Sequence, residues 1–166
     1  MHERAVFLRL GDQTQVVMER TFGHSSARLW SQLTDPAELP RWLAPGEIEP
    51  RLGGAARLEF GVSGSDIDSQ VTAFEPGRLL EYSWSRPSEP RRPLRWEVFP
   101  AGTGCRLRMT LRLPQGEDIA RAAAGFEVHL EMLAASLEGA PVGFSRAAFS
   151  AARHAYDVEL HGWTAA

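Results

Sequence analysis

The chain has 166 residues, 43% of them apolar, with 18 basic side chains, all arginine, against 21 acidic ones for a net charge of −3. One domain of this length buries roughly 70% of the surface its unfolded chain exposes, so no second domain is needed to form a core. The charge balance argues against nucleic acid as a partner. No apolar run approaches the roughly 18–20 residues that cross a bilayer, and the N-terminus lacks the charged start, apolar middle and small-residue cleavage site of a secretory signal. A cytoplasmic protein without membrane insertion is expected.

In chain order, Val16 to Phe22 has strand character, and Gly23-His24-Ser25-Ser26 interrupts it with turn and cap residues. Ser25 or Ser26 can cap a helix, and Ala27, Trp30, Leu33 and Leu29 supply its apolar stripe up to Thr34. Asp35-Pro36-Ala37-Glu38 is a second start signal, with Asp35 as cap, Pro36 at the first helical position and Glu38 completing a capping box. Pro40 limits that element to one or two turns, with Leu39, Trp42 and Leu43 on its apolar side.

Arg51-Leu52 reads as strand-like before a tight turn at Gly53-Gly54, and Ala56, Leu58 and Phe60 then alternate with charged residues as a half-buried strand does. Gly61 to Ser65 is a hairpin loop, Ile67 to Glu75 a strand, Pro76-Gly77 a turn, and Leu80, Tyr82 and Trp84 share a face of the next strand. Ser85 to Pro93 is an exposed loop. Leu94, Trp96 and Val98 alternate with Arg95 and Glu97, and after Pro100 to Gly104 the run Cys105, Leu107, Met109, Leu111 and Leu113 alternates with Arg106, Arg108, Thr110 and Arg112. One face of that sheet is apolar and needs a cover. The cover is a long helix from Gly116 to Leu137 with Ala122, Phe126, Leu130, Leu133 and Leu137 at helical spacing, ended by Gly139. Contiguous strands and segregated helices make this an α+β arrangement.

Arg20-Thr21-Phe22, Leu29-Trp30, Thr34-Asp35-Pro36 and Leu39-Pro40-Arg41-Trp42 together resemble the signature of the SRPBCC (START-like) superfamily, in its Hsp90 ATPase activator homologue branch. Gly53-Gly54, Glu75-Pro76 with Arg78-Leu79, Trp84, Gly102-Thr103 and Gly125-Phe126 extend the match over Val16 to Gly139. The resemblance implies a helix-grip fold: a curved antiparallel sheet of about six to seven strands around a long C-terminal helix, two short helices after the first strand, and a cavity between sheet and helix. Residues 1–143 are then the helix-grip domain and 144–166 a helical extension, in which Phe149, Ala152, Tyr156, Leu160 and Trp163 form a stripe. That stripe packs on the chain's own surface, forms a homodimer contact, or lids the cavity.

Chemistry-bearing motifs are sparse. Cys105 is the one cysteine and reads as a small core residue, so neither a disulfide nor a CxxC site is available. His2, His24, His129, His154 and His161 show no metal-ligand spacing, and neither a metal nor a cofactor is expected. No nucleophile elbow occurs, Gly61 to Ser65 lacks what a phosphate cradle needs, and Asp66, Asp68 and Glu81 read as structural, with Glu81 outside. His129 lies three residues after Phe126, where it either reaches the cavity edge or sits solvated on the helix flank. The candidate ligand-binding set is Trp42, Phe60, Trp84, Trp96, Met109, Phe126, His129, Leu130 and Leu133, with Trp42 near the cavity mouth; no catalytic residue is assigned. The resemblance implies non-catalytic binding of a hydrophobic small molecule or lipid, with a polyketide cyclase/aromatase-like enzyme and an Hsp90-type chaperone co-factor as alternatives.

Overall fold

A computed structural model describes residues 5–61 and 64–163. Its eight strands form one antiparallel sheet in the order β1-β2-β8-β7-β6-β5-β4-β3. They are β1 Val6–Leu10, β2 Gln13–Phe22, β3 Gly46–Ile48, β4 Ala55–Leu58, β5 Ile67–Glu75, β6 Leu79–Ser83, β7 Pro93–Ala101 and β8 Gly104–Pro114. Helix α1 (Ser26–Thr34) and a 3-10 turn (Leu39–Arg41) separate β2 from β3, while α2 (Ile119–Leu137) and α3 (Arg146–Glu159) follow the last strand. This is the expected α+β helix-grip arrangement with one or two strands more than the sequence suggested.

One added strand is β1, which pairs with β2 from Val6↔Val17 to Leu10↔Gln13. It turns Val6, Leu8 and Leu10 outward at 54%, 46% and 39% exposure, so its apolar residues do not mark a core face. The other is β3. It lies at Gly46–Ile48, earlier than the expected Arg51-Leu52, because residues 51–53 form the turn that leads into β4. Val62 and Ser63 of the expected Gly61–Ser65 loop lie outside the described residues.

The centre of the sheet is set by β8, whose inward residues pair with those of both neighbours: Met18↔Met109↔Trp96 and Val16↔Leu111↔Leu94. All six are buried to within 1%. A register shift between Val71 and Ala73 on β5 accommodates an extra residue, and such a bulge bends a strand. Gly104 lets β8 start tightly against β2, since a Cβ there would collide with the Phe22 carbonyl.

Local chemistry explains the helix ends. Ser25 caps α1 by accepting from the Arg28 N–H at 3.1 Å. Asp35 does cap the next turn, through Ala37 N–H at 2.9 Å, but Glu38 closes no capping box: its carboxylate accepts from Gln32 Nε2 at 2.8 Å. Asp118 caps α2 through the Arg121 N–H at 3.0 Å. At the other end Gly139 takes φ 78°, Gly139 N–H donates to the Ser136 carbonyl and Ala140 N–H to the Ala135 carbonyl, both at 3.0 Å, the paired bonds of a Schellman stop. The loop after β6 is not wholly exposed. Ser85 is buried, with its Oγ 2.6 Å from Ser83 Oγ, and Arg92 makes bonds of 2.6 and 3.1 Å to Glu117, tying this loop to the α2 entrance.

The C-terminal stripe lies against its own chain. Tyr156 meets Phe7 edge-on at 5.5 Å and donates its hydroxyl to Glu127 at 3.0 Å. Trp163 packs on Phe7 at 6.2 Å and under the Arg9 guanidinium at 5.1 Å. Thus α3 rests on α2 and on β1, and Ala152 and Tyr156 are buried there. No helix among the described residues is long and apolar enough to cross a membrane.

Candidate functional site: an aromatic edge between the sheet and the long helix

A chain of ring contacts runs from the core to the surface. Trp42 meets Trp96 at 5.5 Å, Trp96 meets Phe126 at 6.1 Å, Phe126 meets Trp84 at 5.0 Å, and Trp84 meets Phe60 at 5.5 Å. His129 closes the set, 6.1 Å from Phe60, 6.2 Å from Phe126 and 5.2 Å from Phe144. Most are edge-on geometries, which place positive ring edges on negative faces. The structure therefore gathers Trp42, Phe60, Trp84, Trp96, Phe126 and His129 of the predicted set. Met109 joins as the strand partner of Trp96, and Leu130 and Leu133 are buried on α2.

Burial grades along this chain. Trp42 and Trp96 are sealed at 0% and 1% exposure, whereas Phe60, Trp84 and His129 are half-buried and Phe144 is 43% exposed. This corrects the placing of Trp42 at the cavity mouth. Its indole N–H donates to the Gln32 carbonyl at 2.7 Å, which draws the ring under α1 and leaves the outer position to Phe60, Trp84 and Phe144.

His129 is the polar element of the edge, and it is no solvated helix-flank residue. Its Nδ1 lies 2.8 Å from the Trp42 carbonyl oxygen. Burial lowers its pKa from the ordinary value, and the Trp42 carbonyl offsets part of that lowering by favouring a proton. A carbonyl only accepts, so Nδ1 carries the hydrogen and the neutral ring keeps its lone pair on Nε2.

Sequence reasoning missed the supports of this edge. Gln32, 2% exposed, accepts from Ser136 Oγ at 2.9 Å while donating to Glu38, and Ser136 accepts in turn from Arg41 Nε at 3.2 Å. That network joins α1, the 3-10 turn and α2, and so fixes the Trp42 carbonyl that holds His129. The signal for it was Glu38, six residues after Gln32 and just beyond the end of α1. Phe144 was also missed, because its role depends on the chain doubling back after Gly139.

The other candidates point elsewhere. Asp66 accepts from the Phe60 N–H at 2.9 Å, Asp68 pairs with Arg57 at 3.5 Å, and Glu81 pairs with Arg95 at 2.7 Å on the outer sheet face. Burial pushes the Cys105 thiol up, as suits an inert core residue. His24 pairs with Glu138 at 2.9 Å beside a surface cavity of ≈ 440 Å³. A groove of ≈ 570 Å³ crosses the outer sheet face between Glu19, Glu81, Glu97, Arg95, Arg108 and Arg112. Among the described residues no group of three or more His, Cys, Asp or Glu is placed to hold a metal ion.

An eight-stranded antiparallel sheet gripping a long C-terminal helix, with aromatic residues between the two, defines the helix-grip class of fold. The chain belongs to the Activator of Hsp90 ATPase homolog 1-like protein family, whose model matches residues 24–138. Among solved structures it is similar to CalU16 from Micromonospora echinospora, with TM-score 0.80 and 19% identity over 95% of this chain and 98% of that one. A conserved protein of unknown function, EF2215 from Enterococcus faecalis, superposes with TM-score 0.78 and 17% identity over 96% of this chain and 91% of that one. The protein encoded by BPP1335 from Bordetella parapertussis gives TM-score 0.69 and 26% identity over 90% and 87% of the two chains. No curated protein matches the chain.

Proposed function

We propose that the chain is a binding module that holds a hydrophobic small molecule or lipid between the sheet and α2 without transforming it, with residues 1–143 as the binding domain and 144–166 as a C-terminal helical extension. The observation that carries this reading is the gradation of the ring chain. Sealed rings at Trp42 and Trp96 lead to half-open rings at Phe60, Trp84 and Phe144, the mostly apolar, sparsely polar lining that small-molecule sites use. Family membership supports it at the level of fold.

Thermal unfolding with a panel of apolar probes tests the reading, because a ligand that binds only the folded state raises the melting temperature, by about 2.7 kcal/mol of stability at 100 times its Kd. N-phenyl-1-naphthylamine is expected to stabilise the wild type and to do so far less in a Trp84→Ala variant. A panel in which no apolar compound shifts the melting temperature would overturn it. The cyclase-like alternative needs a positioned acid or base. Asp68 and Glu81 are engaged on the outer face, which leaves His129 as its one candidate base among the rings.

A further inference from the structure

We propose that two copies of the chain join through β1, each pairing this strand with its counterpart in antiparallel register about a two-fold axis at Leu8, so that the two sheets run on as one. This contact is independent of the ring cluster and uses the sheet edge rather than α3.

The two edges of the sheet differ. At one end β3 has three residues, Gly46–Ile48, with the exposed Glu47 in the middle and Pro45 and Pro50 on either side. Short length, charge and proline are what keep an edge from pairing. At the other end β1 has five residues in unbroken register with β2 and no proline. Among the described residues β2 is its one strand partner, so every second residue of β1 turns its main-chain N–H and C=O away from the sheet. Groups at that spacing match an extended strand.

Charge decides whose strand it is. Over the rest of the outer face acids and arginines lie opposite one another, as Glu19, Arg108 and Glu97 do, or Arg95 and Glu81. Where β1 pairs with β2 the outer positions carry no charge: Val6 lies opposite Val17, Leu8 opposite Gln15 and Leu10 opposite Gln13. Val6, Leu8 and Leu10 are exposed, and exposed apolar patches mark contact surfaces. Arg9, the one charge of β1, lies on the inner face, with its guanidinium on the Trp163 ring at 5.1 Å. An uncharged apolar edge is complemented by an equally uncharged strand, which a second copy supplies.

The register follows from the same residues. With the axis at Leu8 all of β1 pairs: Leu8 faces the partner's Leu8, Val6 faces the partner's Leu10, and Phe7 faces the partner's Arg9. An axis at Arg9 would set the two arginines opposite each other, which is unfavourable. Pairing consumes both β1 edges and leaves a blunt β3 at each end of the joined sheet, so association closes at two copies.

Sedimentation equilibrium of the full chain from about 1 μM to about 1 mM covers the affinities expected of so small an interface, and the wild type should pass from monomer to dimer within that range. Leu8→Lys alters an exposed side chain and spares the core. It puts like charges face to face on the axis, so dimerisation should weaken about tenfold or more, and Leu8→Glu should do the same. An equimolar mixture of the two variants should recover the dimer, because lysine then faces glutamate. Amide hydrogen exchange of the wild type gives a readout that needs no variant: β1 should exchange more slowly as concentration rises, and β3 should not change. A wild type that stays monomeric throughout, a dimer untouched by Leu8→Lys, single variants that mixing does not rescue, or β1 amides indifferent to concentration would each overturn the proposal.

Discussion

The imidazole Nδ1 of His129 and the main-chain carbonyl of Trp42, 2.8 Å apart across 87 residues of sequence, tie the middle of α2 to the turn that follows α1. The imidazole is kept neutral there by burial, and this couples the fold to pH. A histidine whose folded-state pKa is depressed stabilises the fold fully above its unfolded pKa of about 6.5. As pH falls below that value the unfolded chain takes up a proton that the folded chain refuses, and stability drops until the folded pKa is passed. Urea unfolding at stepped pH should show this loss in the wild type and a smaller one in His129→Gln; identical pH profiles would contradict it.

Gln32 and Ser136 predict a non-additive pair. Gln32→Ala strands the Ser136 hydroxyl and the Glu38 carboxylate, at a cost of about 2 kcal/mol. Adding Ser136→Ala should cost less than the sum of the single changes, since both act in one network. A double-mutant cycle by denaturant unfolding measures the coupling, and strict additivity would mean that the network holds nothing together.

The Tyr82 hydroxyl accepts from Trp96 Nε1 at 3.2 Å in the core, and burial pushes the Tyr82 phenol above its ordinary pKa. Tyr82→Phe leaves a buried indole N–H unpaired, so a loss of about 1 kcal/mol is expected with an unchanged far-UV circular dichroism spectrum. Full stability in the variant would show that the bond contributes nothing net.

Tyr156 carries the docking of α3 through Phe7 and Glu127. Tyr156→Ala is expected to cost about 3 kcal/mol, in the range for losing a buried aromatic ring, and to raise hydrogen exchange selectively in α3. Light scattering on the wild type and on a chain lacking residues 144–166 decides whether this helix also joins two copies. An equal mass per particle in both, after allowing for the deleted residues, would exclude that role.

How much of this was legible in the sequence follows from the range over which each force acts. The alternation of β8 and the stripe of α2 are local patterns written in side-chain polarity, and both elements lie where the spacing puts them, as does the cap at Ser25. The outward apolar row of β1 reads like any buried strand face until its neighbours are known. Trp42 looked like a rim residue because nothing near it in sequence announces that its N–H ends on Gln32. His129 could be placed at the cavity edge by counting along α2, but its hydrogen-bonding state depends on a backbone carbonyl 87 residues away. Local pattern thus specified most of the elements and the rings of the cluster other than Phe144, and long-range contacts specified its polarity.

The Schellman stop at Gly139 reverses the chain, so Phe144 comes to stand over His129, a residue 15 positions earlier. The rim of the site is therefore written in a short stretch that takes no part in the sheet. Insertions or deletions between Ala140 and Ser145 would slide Phe144 along α2 and change which ring faces the imidazole, with every strand register left as it is. Six residues of connecting chain can thereby reset the outer end of the ring cluster, while the scaffold that keeps the chain folded stays under separate constraint.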